Sequence, residues 1–322
     1  MIKMVKPLLS IQNLSVEYAS KRGQVKAVTD VSLVLDEGST LGIVGESGSG
    51  KSTLGFAILN LIPLPGRIVA GRITFDHTDI LKQNEDDMRR IRGGQISIIF
   101  QDPLTSLNPL LKIRDHFTEL LRIHSPSTSK EDAISKAGQL LDNLAISPER
   151  LSDYPHQFSG GMRQRVMIGL ALALNPRLVI ADEPTTALDV IVEAQILELM
   201  KRLKDEYGLT VILITHNIGI VAEMADRIAV MYAGQIVEMG PTNDIFADPL
   251  HPYTKGLLES APNILHPERS MRPIPGSPPD LITLPSGCKF HPRCSRVFEP
   301  CRIREPLPVE CNRRLVACHL YD

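Results

Sequence analysis

Nine residues limit the architecture of this chain more than any others. Gly45-Glu46-Ser47-Gly48-Ser49-Gly50-Lys51-Ser52-Thr53 stands between a short apolar run, Leu41-Gly42-Ile43-Val44, and a helical pattern that opens after Lys51. A glycine, four residues and Gly-Lys-Ser/Thr, set between a buried strand and a helix, is the pattern of a phosphate-binding loop. The glycines let backbone N–H groups converge on phosphate oxygens with no Cβ in the way. The helix that follows adds the positive end of its dipole. Lys51 supplies a point charge for β- and γ-phosphates, and the Ser52 hydroxyl suits Mg²⁺. A glycine-rich turn without a ligand is the bland alternative, and the placement between strand and helix argues against it.

Further along, Leu178-Val179-Ile180-Ala181-Asp182-Glu183 reads as a buried strand ending in two carboxylates. Strand ends are where an open parallel sheet presents its ligand-binding groups. Asp182 suits Mg²⁺ held through water, and Glu183 suits the polarisation of an attacking water, a role worth about 10²–10⁴ in rate. Taken alone, such a pair is as readily a solvated strand end; beside a phosphate loop the catalytic reading is preferred.

The rest of the pattern is α/β. Segments 9–18 and 27–35 alternate apolar and polar residues as half-buried antiparallel strands do. Arg72 to Phe75, Ile96 to Phe100, Thr210 to Ile214 and Ile228 to Met231 read as strands, 190–206 and 218–225 as helices. Residues from about 112 to 175 are mostly helical, and Gly234 turns the chain into a hairpin strand, Gln235-Ile236-Val237-Glu238. With 322 residues the chain suits one large or two ordinary domains. Lys and Arg number 35 against 37 Asp and Glu, a net charge of −2, which argues against nucleic acid as a partner, since that binding needs clustered cations. The longest apolar run, Val166 to Leu174, is far short of a bilayer span, and the N-terminus carries no secretory h-region. A soluble, cytoplasmic protein is expected.

No guanine-reading Asn-Lys-x-Asp occurs; instead Phe158-Ser159-Gly160-Gly161-Met162-Arg163-Gln164-Arg165 precedes the Asp-Glu strand. Here the chain resembles the ATP-binding cassette (ABC) transport ATPases, whose signature is Leu-Ser-Gly-Gly-Gln. Phe158 and Met162 depart from that signature, while its Ser-Gly-Gly centre is intact. The resemblance extends from residue 8 to about 260. It implies that Tyr18 stacks on adenine, that Gln101 contacts Mg²⁺ and senses a membrane partner, that Ala187-Leu188-Asp189 crosses a dimer interface, and that His216 reaches the γ-phosphate. It further implies that Ser159, Gly160 and Gly161 touch the ATP held by a second ATPase subunit, related or identical, so that hydrolysis needs a dimer. The implied fold is a P-loop NTPase of ABC type with a mixed sheet core, an antiparallel β subdomain and an α-helical subdomain at about 102–175.

Finer resemblance is to the dipeptide/oligopeptide importer ATPases. It lies in Gln101-Asp102-Pro103-Leu104-Thr105-Ser106-Leu107-Asn108-Pro109, in Met231-Tyr232-Ala233-Gly234-Gln235-Ile236-Val237-Glu238, in His251-Pro252-Tyr253-Thr254 and in Gly287-Cys288-Lys289-Phe290-His291-Pro292-Arg293-Cys294. It implies two integral-membrane permease subunits, an external solute-binding protein and a place on the cytoplasmic face of the membrane. Nickel and sugar importers are close alternatives for the cargo. A non-transport ABC ATPase fits less well, because such proteins carry tandem cassettes or long coiled coils. An iron–sulfur electron carrier would leave Gln101, Glu183 and His216 without a purpose.

All five cysteines and more than half of the prolines fall near the C-terminus. An ATPase domain over 1–260 and a Cys/Pro-rich appendage over 261–322 are therefore expected. Disulfides are disfavoured in a cytoplasmic protein. Zinc usually takes close Cys-x₂₋₄-Cys pairs, which are missing, while a [4Fe–4S] cluster accepts four thiolates at looser spacing. On the residues alone, cluster, zinc and free thiols all stay open. Resemblance to the family's tail favours a [4Fe–4S] cluster on Cys288, Cys294, Cys301 and Cys318, with Cys311 a bystander and His291 and His319 as alternates.

Overall fold

The computed structural model describes residues 7–186, 188–260 and 273–322. The chain divides into two units, Met1–Lys82 with Leu213–Asp322, and Gln83–Ile212.

The first unit opens with β1 (Pro7–Ser20) and β2 (Gly23–Asp36), antiparallel, with Ile11 opposite Leu33, Leu14 opposite Val31 and Val16 opposite Val28. These alternate apolar residues are buried, which fixes the register, since a slip of one residue would turn them to water. The register shifts near Asn13 and Asp30, two residues with positive φ joined by a 2.8 Å bond from Asn13 Nδ2 to Asp30 Oδ1. Both strands run longer than the alternation suggests because their polar ends close a tight hairpin at Ser20–Gly23. The strand β3 (Thr40–Val44) is buried throughout and is followed by α1 (Lys51–Ile58). The strands β4 (Gly66–Phe75) and β5 (Thr78–Asp79) complete a four-stranded antiparallel sheet in the order β2-β1-β4-β5. β4 starts earlier than Arg72 because its first half is mostly exposed and carries no apolar alternation.

The second unit contains α2 (Glu85–Ile91), β6 (Ile96–Ile99), α3 (Pro103–Ser106), α4 (Ile113–His124), α5 (Lys130–Asn143), α6 (Gly160–Leu172), β7 (Leu178–Asp182) and α7 (Val190–Tyr207). β6 and β7 pair in parallel, Ile98 opposite Ile180. α4 and α5 pack their buried faces, Phe117 and Leu121 on one, Ala133, Ala137 and Leu141 on the other. β8 (Thr210–Ile214) begins here, Thr210 N–H donating to Arg177 O.

Returning to the first unit, α8 (Ile218–Met224) leads to β9 (Arg227–Tyr232), which pairs in parallel with β3. A turn at Ala233 (φ 48°) and Gly234 (φ 82°) makes the expected hairpin into β10 (Gln235–Pro241); two residues with positive φ match the twist of a two-residue hairpin. The helices α9 (Thr242–Ala247) and α10 (Pro252–Ser260) follow. The tail holds α11 (Glu299–Ile303), β11 (Val309–Cys311) and β12 (Arg314–Val316). β12 pairs with β10, so the last strands extend the order β11-β12-β10-β9-β3. Arg314, 4% exposed, anchors this edge by donating to Asp244 O and Asp248 O, with the fully buried Glu238 carboxylate 3.9 Å away.

Candidate functional site

The phosphate loop lies where expected, between β3 and α1. Gly50 caps α1 with φ 100°, and a Cβ there would stand 2.1 Å from Ala27 O. At Gly45 (φ 156°) a Cβ would meet Met231 O at 2.2 Å. Glycine is thus required at both ends of the loop by close backbone approach. Lys51 is buried, its Nζ donating to Gly45 O at 2.9 Å and Glu46 O at 3.0 Å. Ser49 Oγ is buried without a hydrogen-bond partner, while Ser47 and Gly48 are exposed and Ser52 and Thr53 half-buried. An orphan hydroxyl, a lysine and a glycine-lined cradle suit a polyphosphate with its Mg²⁺. Tyr18, on β1, lays its ring over Gly66, where a Cβ would fall 2.5 Å from Cε1. His216 lies just past β8, exposed.

Two partners of the loop stand in segments that carry the finer family resemblance, but nothing in the sequence ties them to the loop. The Glu46 N–H donates to Tyr253 Oη at 2.9 Å, and the Glu46 carboxylate receives both terminal nitrogens of Arg293. An acidic residue inside a phosphate cradle was the available hint that a cation stands beside it.

In the second unit the structure brings Gln101 and Glu183 together. Asp182 is buried at the end of β7, and Glu183 follows with φ 48°, a strained conformation for a non-glycine residue of the kind found at functional positions. Glu183 Oε2 accepts from Gln101 Nε2 at 2.8 Å and from Thr186 Oγ1 at 2.9 Å. The carboxylate is therefore oriented by two donors.

Ser159 is the N-cap of α6, its Oγ accepting from Met162 N–H, and it is followed by Gly160 and Gly161 in the first turn. The two departures from the family signature share one partner. The Arg150 guanidinium lies 4.3 Å from the centroid of the buried Phe158 ring, and its Nη1 contacts Met162 Sδ at 3.5 Å. Asp189 caps α7, its Oδ1 accepting from Val192 N–H at 3.0 Å. Ala187 lies outside the described residues.

Cys288, Cys294, Cys301 and Cys318 line one small cavity with His291 and His319, and Cys311 is not among its lining residues. All five are free thiols. Burial pushes Cys288 and Cys294 up from their ordinary values and Cys318 up to about 11, which disfavours their thiolate forms. Among the described residues no three His, Cys, Asp or Glu side chains converge closely enough to hold a metal ion. The expected [4Fe–4S] centre is thus not supported by a formed metal site, although the donor set, four thiols facing one cavity, is chemically suited to a cluster.

Comparison with known proteins agrees with this geometry. Residues 28–186 match the family profile described as ABC transporter, and residues 237–301 match that described as oligopeptide/dipeptide transporter, C-terminal region. The oligopeptide transport ATP-binding protein OppD of Salmonella typhimurium is 46% identical over 313 residues, 97% of this chain and 93% of the relative. The dipeptide transport ATP-binding protein DppD of Bacillus subtilis is 46% identical over 319 residues, 98% of this chain and 95% of the relative. The ATP-binding cassette MJ0796, in a dimeric post-hydrolysis state bound to ADP and Pi, superposes with a TM-score of 0.65 at 30% identity, covering 73% of this chain and 98% of that one. With this fold and this near full-length identity, the chain belongs to the ABC transporter family as an ATP-hydrolysing subunit of its oligopeptide/dipeptide branch.

Proposed function

We propose that this chain powers the import of dipeptides or oligopeptides, as one of two ATPase subunits docked on two integral-membrane permease subunits at the cytoplasmic face. The observation that carries the hydrolytic part is Glu183, held at the end of β7 by Gln101 and Thr186. In this reading residues 45–53 hold the phosphates, with Lys51 as their cation, and ATP with Mg²⁺ supplies the phosphoryl group and its charge neutralisation. Ser52, Gln101 and Asp182 serve as direct or water-mediated Mg²⁺ ligands. Glu183 takes the proton of the attacking water, His216 steadies the γ-phosphate and Tyr18 stacks on adenine. Ser159, Gly160, Gly161 and Asp189 serve the ATP of the second ATPase subunit. The exposed Val190 and Ile191 beside Asp189 supply apolar surface for that contact, and no helix among the described residues is long and apolar enough to cross a membrane. The peptide cargo rests on the printed names of the relatives. We take residues 1–260 as the ATPase domain and 261–322 as its appendage.

Reconstituting the complex, purified from its native membrane, into vesicles tests this. Solute-binding protein loaded with peptide should stimulate ATP hydrolysis severalfold. Stimulation by nickel or a sugar but not by peptide would replace the cargo, and failure to co-purify with permease subunits would end the transport reading.

The appendage takes a finer proposal, a [4Fe–4S] cluster on Cys288, Cys294, Cys301 and Cys318, supported by their shared cavity. Anaerobically purified protein should contain about four irons per chain. Cys→Ser at any of the four should lower that content, and Cys311→Ser should not. Stoichiometric zinc with negligible iron would overturn the cluster.

A further inference from the structure

Glu46 is the only acidic residue between Gly45 and Thr53. A carboxylate in a loop that holds a polyphosphate repels its ligand unless a cation neutralises it. That cation comes from the far end of the sequence. Arg293 Nη1 lies 2.6 Å from Glu46 Oε2, and Nη2 lies 3.0 Å from Oε1, a bidentate pair. Arg293 is itself held. Its side chain is 5% exposed, Nε donates to Pro275 O at 2.8 Å, and Nη1 reaches Tyr232 Oη at 3.4 Å. The backbone that carries it is a single helical turn, His291–Arg293, between Cys288 and Cys294. Beneath the pair, Phe290 packs against Tyr232 and Tyr253, ring centroids 5.2 and 5.4 Å away, and Tyr253 Oη accepts from Glu46 N–H. Side chain and backbone of Glu46 are thus both held from outside the loop.

We infer that Arg293 is a positioning residue for the nucleotide loop: the Cys-bearing tail supplies the cation that neutralises Glu46 and draws its carboxylate away from the bound phosphates. The inference rests on the reading of residues 45–53 as the ATP cradle. Arg is suited to this task where Lys is not, because its planar fork meets both carboxylate oxygens at once. The coupling is reciprocal. Whatever orders the tail around Arg293 raises nucleotide affinity, and bound nucleotide orders the tail.

The test is the affinity of the full-length chain for the slowly hydrolysed analogue AMP-PNP with Mg²⁺, measured by calorimetry, with folding followed by circular dichroism. Arg293→Met should weaken binding by about tenfold or more, because it leaves a carboxylate uncompensated beside phosphate, and Arg293→Lys by less. Adding Glu46→Gln to Arg293→Met should restore affinity to within about threefold of wild type, since the charge needing neutralisation has gone. In steady-state ATP hydrolysis by the assembled complex, Arg293→Met should raise KM far more than it lowers kcat. A role in tail folding alone predicts that Glu46→Gln gives no rescue. Should Arg293→Met not fold, Arg293→Lys with and without Glu46→Gln carries the same comparison. Lys51→Ala separates this inference from the reading beneath it. If Lys51→Ala loses binding while Arg293→Met binds as wild type, or if Glu46→Gln fails to rescue, the positioning role is overturned. If Lys51→Ala binds as wild type, the loop itself has been misread.

Discussion

At the scale of single residues, the site depends on groups that orient other groups. Glu183 accepts from Gln101 and Thr186, and losing the Thr186 donor loosens the hold that keeps its carboxylate on the line of attack. Thr186→Val should therefore lower kcat for ATP by about tenfold, the order of one hydrogen bond to a charged group, with KM nearly unchanged; steady-state hydrolysis by the assembled complex checks this. His251 is a different case. It is buried, its Nδ1 accepts from Tyr253 N–H, and burial pushes its pKa from 6.5 down to about 3. A histidine kept neutral by the fold is protonated first in the unfolded chain. Its cost is nil above pH 6.5 and grows as pH falls from there toward 3, by about 1.4 kcal/mol per pH unit. His251→Asn keeps an acceptor without a titrating group. Chemical denaturation at pH 7 and pH 5 should show a loss of stability about 2 kcal/mol smaller in the variant than in wild type.

At the scale of elements, two helices of the second unit start on residues that the family resemblance assigns to the nucleotide of another subunit, Ser159 on α6 and Asp189 on α7. Asp189 therefore has a task within its own chain. Asp189→Ala should destabilise the isolated chain by about 1 kcal/mol through loss of the cap, and Asp189→Asn by very little, since asparagine caps as well; denaturant titration of both separates the cap from any effect on dimer contact. Elements with strong periodicity were legible in the sequence: the strands at 9–18 and 27–35, the helix after Lys51 and the Gly234 hairpin all stand in the structure. Weakly patterned ones were not. β4 was legible only from Arg72 onward, because its first half is mostly exposed; α2 was missed because seven mainly charged residues bury only Met88 and Ile91, and β11 and β12 because three residues show no period. The helical stretch at 112–175 is real but broken, chiefly into α4, α5 and α6.

At the scale of the whole chain, motif residues were readable because their chemistry is local: a phosphate loop needs glycines and a lysine next to one another. Their supports were not, because only the fold brings them against the motif. Arg293 stands 247 residues from Glu46, and Arg150 meets Phe158 and Met162 only through the fold. The four cysteines were readable as a group, and their shared cavity agrees with grouping them, but spacing alone does not choose a metal. What unites these parts is ATP hydrolysis, and Glu183→Gln in the assembled complex, with peptide-loaded binding protein present, tests it most directly. The variant keeps the shape of the side chain and removes the base. ATP should still bind and hold the dimer closed, while turnover falls by about a hundredfold or more. Turnover within about threefold of wild type would contradict the account, because no base of the expected strength would then act through Glu183.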